Sequence, residues 1–210
     1  RRVLGNMVEG ILNTTRPKNL VMVTSSLPGE GKTFTSVNLA LSLTMEVDHT
    51  ILVVDTDIVK RDLSRAFGVE HLPGLYDLLA SDTLRLEDVL VRTSLPNLVL
   101  LPAGQSRDAP TERLASVQMR ALTVELATRY HDRVVLFDSP PILATTTAAA
   151  LAPLVGQLIV VVEASRTKQS TVRDALQRLE GVRITGLILY KSRQQSTRAY
   201  DYYGYYYQQT

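Results

Sequence analysis

Residues 24–35 read TSSLPGEGKTFT, and the fold turns on how this stretch is read. An apolar run precedes it (19–24, NLVMVT) and a helical pattern follows it (33–47). A strand that breaks into a glycine-bearing turn and re-enters as a helix is the setting of a P-loop. Gly29 and Gly31 let the backbone bend so that successive amide N–H groups face inward on an anion. Lys32 supplies a point charge for β and γ phosphates, Thr33 a hydroxyl for Mg²⁺, and the helix N-terminus a favourable dipole. The pattern G-x-x-x-x-G-K-[ST] asks for glycine at its first place, where this chain has Ser26.

Moving outward, short apolar runs recur at 51–55 (ILVVD), 98–102 (LVLLP), 134–138 (VVLFD), 157–163 (QLIVVVE) and 185–190 (TGLILY). They are nearly continuous rather than alternating, as expected of strands covered on both faces of a parallel sheet. Helical spacing fills the gaps. Residues 33–47 place Phe34, Val37, Leu41 and Met45 along one side, and 111–130 opens on a Thr cap. Residues 168–180 carry Val172, Leu176 and Leu179 on one face. Strand, helix, strand, repeated, predicts right-handed crossovers and a doubly wound α/β fold: a mostly parallel sheet flanked by helices. A single domain is expected over residues 1–191. Residues 192–210 have little apolar surface to set against their ordering entropy, which predicts a flexible tail.

Two of the apolar runs end in acid. Asp138 closes VVLFD in the manner of a Walker B strand, at the carboxyl edge of the sheet near a metal. Asp55 and Asp57 close ILVVDTD, and both would point the same way if the strand continued through them. Two such strands after a GKT predict a Mg–nucleotide site. The far end of the chain is equally distinctive, because residues 200–207 (YDYYGYYY) hold six of the nine tyrosines.

Composition narrows the alternatives. Hydrophobic residues at 45% and charged residues at 21% are ordinary for a globular domain, and a net charge of +2 gives no reason to expect nucleic acid as a partner. With no cysteine there is no disulfide scaffold, thiolate zinc site or cysteine nucleophile, which fits a reducing cytoplasm. His49, His71 and His131 lack metal-ligand spacing and read as loop or surface residues. Tyr76, Tyr130 and Tyr190 lie among the folded elements and read as packing residues. No run reaches the length of a membrane span, no secretory signal is visible, and the chain opens on Arg1. It is therefore expected to be an excised domain that meets a membrane through a partner or a further segment.

Taken together, TSSLPGEGKT, ILVVDTD, VVLFDSPP and the tyrosine cluster resemble the bacterial tyrosine kinases of capsule and exopolysaccharide synthesis. The similarity covers roughly residues 6–207, with particular likeness to the exosortase-associated tyrosine autokinases. That resemblance implies ATP and Mg²⁺ as cofactors. It implies that Pro28, Gly29, Glu30, Gly31, Lys32, Thr33 and Phe34 line the nucleotide, with Thr33, Asp55 and Asp138 serving the metal. Lys32, Asp55 and Asp57 would be catalytic, Asp55 helping to deprotonate the acceptor and Asp57 also serving the metal site. Tyr200, Tyr202, Tyr203, Tyr205, Tyr206 and Tyr207 would be the phosphoacceptors, delivered in trans to a neighbouring copy. It also implies a membrane chain-length or activator protein, a cognate tyrosine phosphatase, and a place at the inner face of the plasma membrane.

The chain departs from the family at several points. Val59 stands where many relatives have Arg, with Lys60 and Arg61 beside it, and Tyr190 stands where relatives often recognise the base with Asn. Counting from Glu9, the arginines of the ring-forming helix are replaced by Leu12 and Thr15, and an aspartate after Walker B is replaced by Thr147. Two alternatives stay open: a partitioning-type ATPase switch, whose signature lysine would fall at Leu27, and an ATP-binding regulatory subunit without kinase activity.

Overall fold

The computed structural model of the chain describes residues 17–45, 49–105, 110–128 and 133–192. The chain begins with β1 (Leu20–Ser25), the P-loop and α1 (Lys32–Leu43). Next come β2 (Thr50–Asp55), three short helices α2 (Asp62–Ala66), α3 (Leu75–Ala80) and α4 (Leu86–Val89), then β3 (Val91–Arg92) and β4 (Leu98–Leu101). Helices α5 (Pro110–Leu114) and α6 (Val117–Thr128) lead to β5 (Arg133–Asp138), α7 (Thr147–Leu151), β6 (Gln157–Glu163), α8 (Gln169–Gln177) and β7 (Gly186–Tyr190). The seven-stranded sheet has the order β3-β4-β2-β5-β1-β6-β7 and is parallel except at β3, which runs antiparallel to β4. The doubly wound α/β expectation holds.

Strand alternation divides the core in two. Leu20 and Met22 of β1 join a cluster on one face of the sheet with Leu52, Phe137 and Leu158, while Val21 and Val23 join a second with Val53, Leu136 and Ile159. β1, β2, β5 and β6 are covered on both faces, which is why they carry unbroken apolar runs. The expectation fails at the edge strand β7, where Leu187 and Leu189 are exposed because, among the described residues, no helix covers that face. Val172 and Leu176 of α8 pack against the first cluster, as their spacing predicts; the helix expected to 180 ends at Gln177, and Leu179 is buried from the turn that follows.

Two helical expectations need correcting. The side of α1 read as its apolar face points largely outward: Phe34 is 58% exposed and Met45, just past the helix, 73%. Lys32, Ser36 and Ala40 face inward instead. Small and polar residues are needed there because the helix lies close over β1 and β5, and the Ser36 hydroxyl has a buried partner on β5. The single helix expected over 111–130 is broken between α5 and α6. Ser116 causes the break, its hydroxyl accepting a hydrogen bond from the Met119 N–H at 3.1 Å and so starting a new helix.

Strand order also fixes where chemistry can occur. β1 sits between β5 and β6, so the chain's crossovers diverge there and leave a crevice beyond the carboxyl ends of the strands. Register puts Val23 opposite Asp138 and Asp55 opposite Asp138. The ends of β1, β2 and β5 thus bring the P-loop and the acidic strand ends to one edge.

Candidate active site

Residues 26–31 wrap the start of α1. Gly29 (φ 87) and Gly31 (φ 91) both adopt the left-handed conformation that favours glycine, turning the loop amides toward the helix axis. Glu30 locks this loop from behind. Its carboxylate accepts from the Leu27 N–H at 2.7 Å and from the Thr167 hydroxyl, tying the P-loop to the segment after β6. Glu30 was expected at the nucleotide but not as this brace, whose signal lies in a residue 137 positions away.

At the mouth of the loop lies a buried ionic centre. Lys32 Nζ is 3.2 Å from Asp57 Oδ2 and 3.9 Å from Asp138 Oδ2. Thr33 donates to Asp138 Oδ2 at 2.7 Å, and Ser36 to Asp138 Oδ1 at 2.9 Å. Ser36 is a partner that motif reading misses, since it lies one helical turn beyond Lys32. Burial lowers the lysine's proton affinity, but the fields of Asp138 and Asp57 outweigh it, so its pKa is raised and the charge is held. Burial pushes the Asp138 carboxyl above the usual range, with Lys32 and the two hydroxyls opposing.

Asp55 and Asp57 do not act as one pair. β2 stops at Asp55, the Asp57 N–H folds back onto Asp55 Oδ1 at 3.0 Å, and the two carboxylates diverge. Asp57 meets Lys32, and its Oδ1 also accepts from the Lys60 N–H at 3.1 Å. Asp55 instead accepts from the Ser64 N–H at 2.8 Å and the Ser64 hydroxyl at 2.6 Å. Burial, opposed chiefly by Ser64, pushes its pKa up to about 7.

The departures from the family have definite places. Val59 is 77% exposed, and Arg61 turns away to the carbonyls of Glu70 and Gly104. Thr147 is buried, 3.3 Å from the Thr111 hydroxyl. Tyr76 is fully buried, donating to the Thr56 carbonyl at 3.0 Å, and Tyr190 packs on Gly31. The six tail tyrosines, Tyr130, His131, Glu9, Leu12 and Thr15 lie outside the described residues.

The donor set fits a Mg–nucleotide. The hydroxyls of Ser26 and Ser139, flanking the loop and Asp138, are buried without hydrogen-bond partners, as groups awaiting an oxyanion would be. Among the described residues no cluster of three or more His, Asp or Glu side chains makes a metal cage.

A doubly wound sheet with this loop, this buried lysine and this carboxylate defines a P-loop ATPase. The AAA domain family matches residues 19–186, and the chain belongs to that family. Within it, the chain belongs with the kinase domains of bacterial tyrosine kinases. It is 33% identical over 173 residues to tyrosine-protein kinase ptk of Acinetobacter johnsonii, covering 81% of this chain and 23% of that one. The kinase domain of Escherichia coli tyrosine kinase ETK matches with a TM-score of 0.80 at 30% identity, covering 90% of this chain and 72% of that one. The septum site-determining protein MinD of Pyrococcus horikoshii, solved with Mg-ADP, matches with a TM-score of 0.64 at 27% identity, covering 81% and 69%. The chain spans about a quarter of the length of most of the curated relatives it matches, and 79% of tyrosine-protein kinase YwqD of Bacillus subtilis.

Proposed function

We propose that the chain is the catalytic domain of an ATP-dependent protein-tyrosine autokinase, moving the γ-phosphate of ATP onto tyrosines of its own C-terminal stretch, Tyr200–Tyr207. The observation that carries this reading is the Lys32–Asp57–Asp138 centre, buried at the mouth of a left-handed glycine cradle. The amides of residues 28–34 cradle the phosphates, and Lys32 leaves Asp57 to meet the β and γ oxygens. Thr33 and Asp138 hold Mg²⁺, which when bound neutralises charge on those oxygens; Asp55 and Asp57 complete the acidic surroundings.

In the transfer, the phenol oxygen of an acceptor tyrosine forms a bond to the γ-phosphorus. The bond from that phosphorus to the bridging oxygen breaks, and ADP departs with the electron pair. The phenol proton needs a base, since its ordinary pKa is near 10. By kinship Asp55 is the carboxylate that takes this proton, once the Ser64 hydroxyl lets go.

By its kinship, the domain serves the control of export or chain length of an extracellular polysaccharide. It works at the inner face of the plasma membrane, answers to a membrane activator and is reset by a phosphatase. The described residues contain no helix long and apolar enough to cross a membrane. Tails are exchanged in trans between copies. Each phosphate adds roughly −1.5 to −2 charges, so phosphorylated tails repel one another and shift the assembly toward monomer. Sedimentation before and after phosphatase treatment tests this; equal sedimentation contradicts it.

The activity is tested with γ-labelled ATP and Mg²⁺ on the full chain, a Lys32→Met variant and a chain ending at Ser192. Label on the full chain alone supports the autokinase. Tight Mg-ADP binding without label, together with ATP-dependent dimers, replaces it with a nucleotide switch.

A further inference from the structure

The phosphate cradle carries an acid of its own. Glu30 stands between Gly29 and Gly31, the two left-handed residues of the loop, and is only 2% exposed. A carboxylate in that place is a rival to the ligand, because carboxylate and phosphate oxygens seek the same N–H donors. One loop amide is already spent on it: the Leu27 N–H donates to Glu30 Oε2 at 2.7 Å. The other oxygen, Oε1, accepts from the Thr167 hydroxyl. Both donors are neutral, so these hydrogen bonds, and no charge of their own, hold the carboxylate where it is.

Thr167 reaches Glu30 from a segment that is itself firmly held. After β6 the chain turns through Ser165, left-handed at φ 63, a strained conformation for a residue with a Cβ. The Thr167 N–H then donates to the Glu163 carbonyl at 3.1 Å, and the Ala164 N–H to the Tyr190 carbonyl at 2.9 Å. The Glu163 carboxylate is gripped by Arg166 and by Lys191, each at 3.0 Å. α8 starts two residues beyond Thr167, at Gln169. The threonine thus sits on a fixed support, and β6 lying beside β1 brings that support up to the P-loop.

Resting on the nucleotide-binding reading above, we propose that Thr167 is a positioning residue for the phosphate cradle. Its hydroxyl holds the Glu30 carboxylate at the back of the loop and leaves the remaining loop amides free for phosphate. Without that hydroxyl the buried carboxylate is short of a donor and turns to the nearest ones left, the amides of the cradle, so that the loop blocks its own site.

The test is equilibrium binding of Mg-ADP and Mg-tripolyphosphate to the full chain and to Thr167→Val, Thr167→Ser, Glu30→Gln and the Thr167→Val, Glu30→Gln double variant. Each is checked for cooperative thermal unfolding, and Thr167→Ala takes the place of a valine variant that does not fold. Thr167→Val should weaken both ligands by roughly 10- to 100-fold, the worth of one hydrogen bond to a charged group, while Thr167→Ser should stay within about threefold of the unsubstituted chain. On the Glu30→Gln background the same valine should cost no more than about threefold, because the amide brings no charge to compete for the loop. Full affinity in Thr167→Val, with only a lowered thermal midpoint, overturns the proposal, since the contact would then be a structural tie. So does an equal loss with and without the Glu30 carboxylate, or a serine that fails to restore binding. Those failures leave Mg-ADP binding by the unsubstituted chain intact. If that chain binds neither ligand, the nucleotide reading falls and the role of Thr167 with it.

Discussion

Asp55 and Asp138 stand opposite each other on β2 and β5, both at strand ends and both fully buried, yet their surroundings differ. Among the described residues the Asp138 carboxylate is held by side chains: two hydroxyls from α1 and the ammonium of Lys32. Those groups also face the phosphate cradle and can change partners when a nucleotide arrives. Asp55 is held partly by backbone, the N–H groups of Asp57 and Ser64, and the Ser64 hydroxyl that holds it also accepts from the Ala103 N–H at 3.0 Å. One carboxylate belongs to an exchangeable ionic centre. The other shapes the turn that presents Asp57 and ties it to the strand behind. A sequence motif that joins Asp55 and Asp57 hides this division.

The largest effect should fall on the exchangeable centre. Lys32→Met should reduce phosphoryl transfer by on the order of 10²–10³-fold, the scale of losing one charged donor to a transition state, in single-turnover assays. Asp55→Asn should act on stability as well as rate. Its folded pKa of about 7 lies above the ordinary 3.8, so the folded state keeps a proton that the unfolded chain releases between those values. Stability is then highest below that window and declines as pH rises through it. Asp138 acts in the same sense, so Asp55→Asn should flatten, without abolishing, the fall in thermal midpoint between about pH 4 and 7. An unchanged slope would show that Asp55 is ionised throughout.

Smaller changes sharpen the same contrast. Ser64→Ala leaves a buried carboxylate short of a donor and should cost about 1–3 kcal/mol in urea unfolding while leaving Mg-ADP affinity within a few-fold. A large loss of affinity instead would move Asp55 into the nucleotide's own shell. Tyr76→Phe removes only the hydrogen bond to the Thr56 carbonyl and should cost about 1 kcal/mol.

Much of this frame is legible in the chain. β1, β2, β5 and β6 are apolar on both faces, so their runs stand out, and GEGKT between a strand and a helix marks the crevice. The two-residue β3 is too short to carry a period, and α2, α3, α4 and α7 span one turn or little more. The buried face of α1 escapes because its fully buried positions, Ser36 and Ala40, are small, and the larger Val37, Leu39 and Leu43 pack only partly buried beside them. The divergence of Asp55 from Asp57 depends on where β2 stops, which Ser64 and its partner Ala103 settle from outside the motif. Tyr190 reads as a packing residue from its place in a strand; that it packs on the P-loop glycine requires the sheet order.

The central claim, that the Lys32 centre phosphorylates tyrosines of its own chain, is tested most directly by mass spectrometry. The full chain is incubated with Mg-ATP and its phosphotyrosines are mapped, with Lys32→Met run in parallel. Phosphate confined to Tyr200, Tyr202, Tyr203, Tyr205, Tyr206 and Tyr207, and absent from the variant, is the expected result. Phosphate on the variant at the same sites, or none on the full chain while Mg-ATP binds, would contradict it.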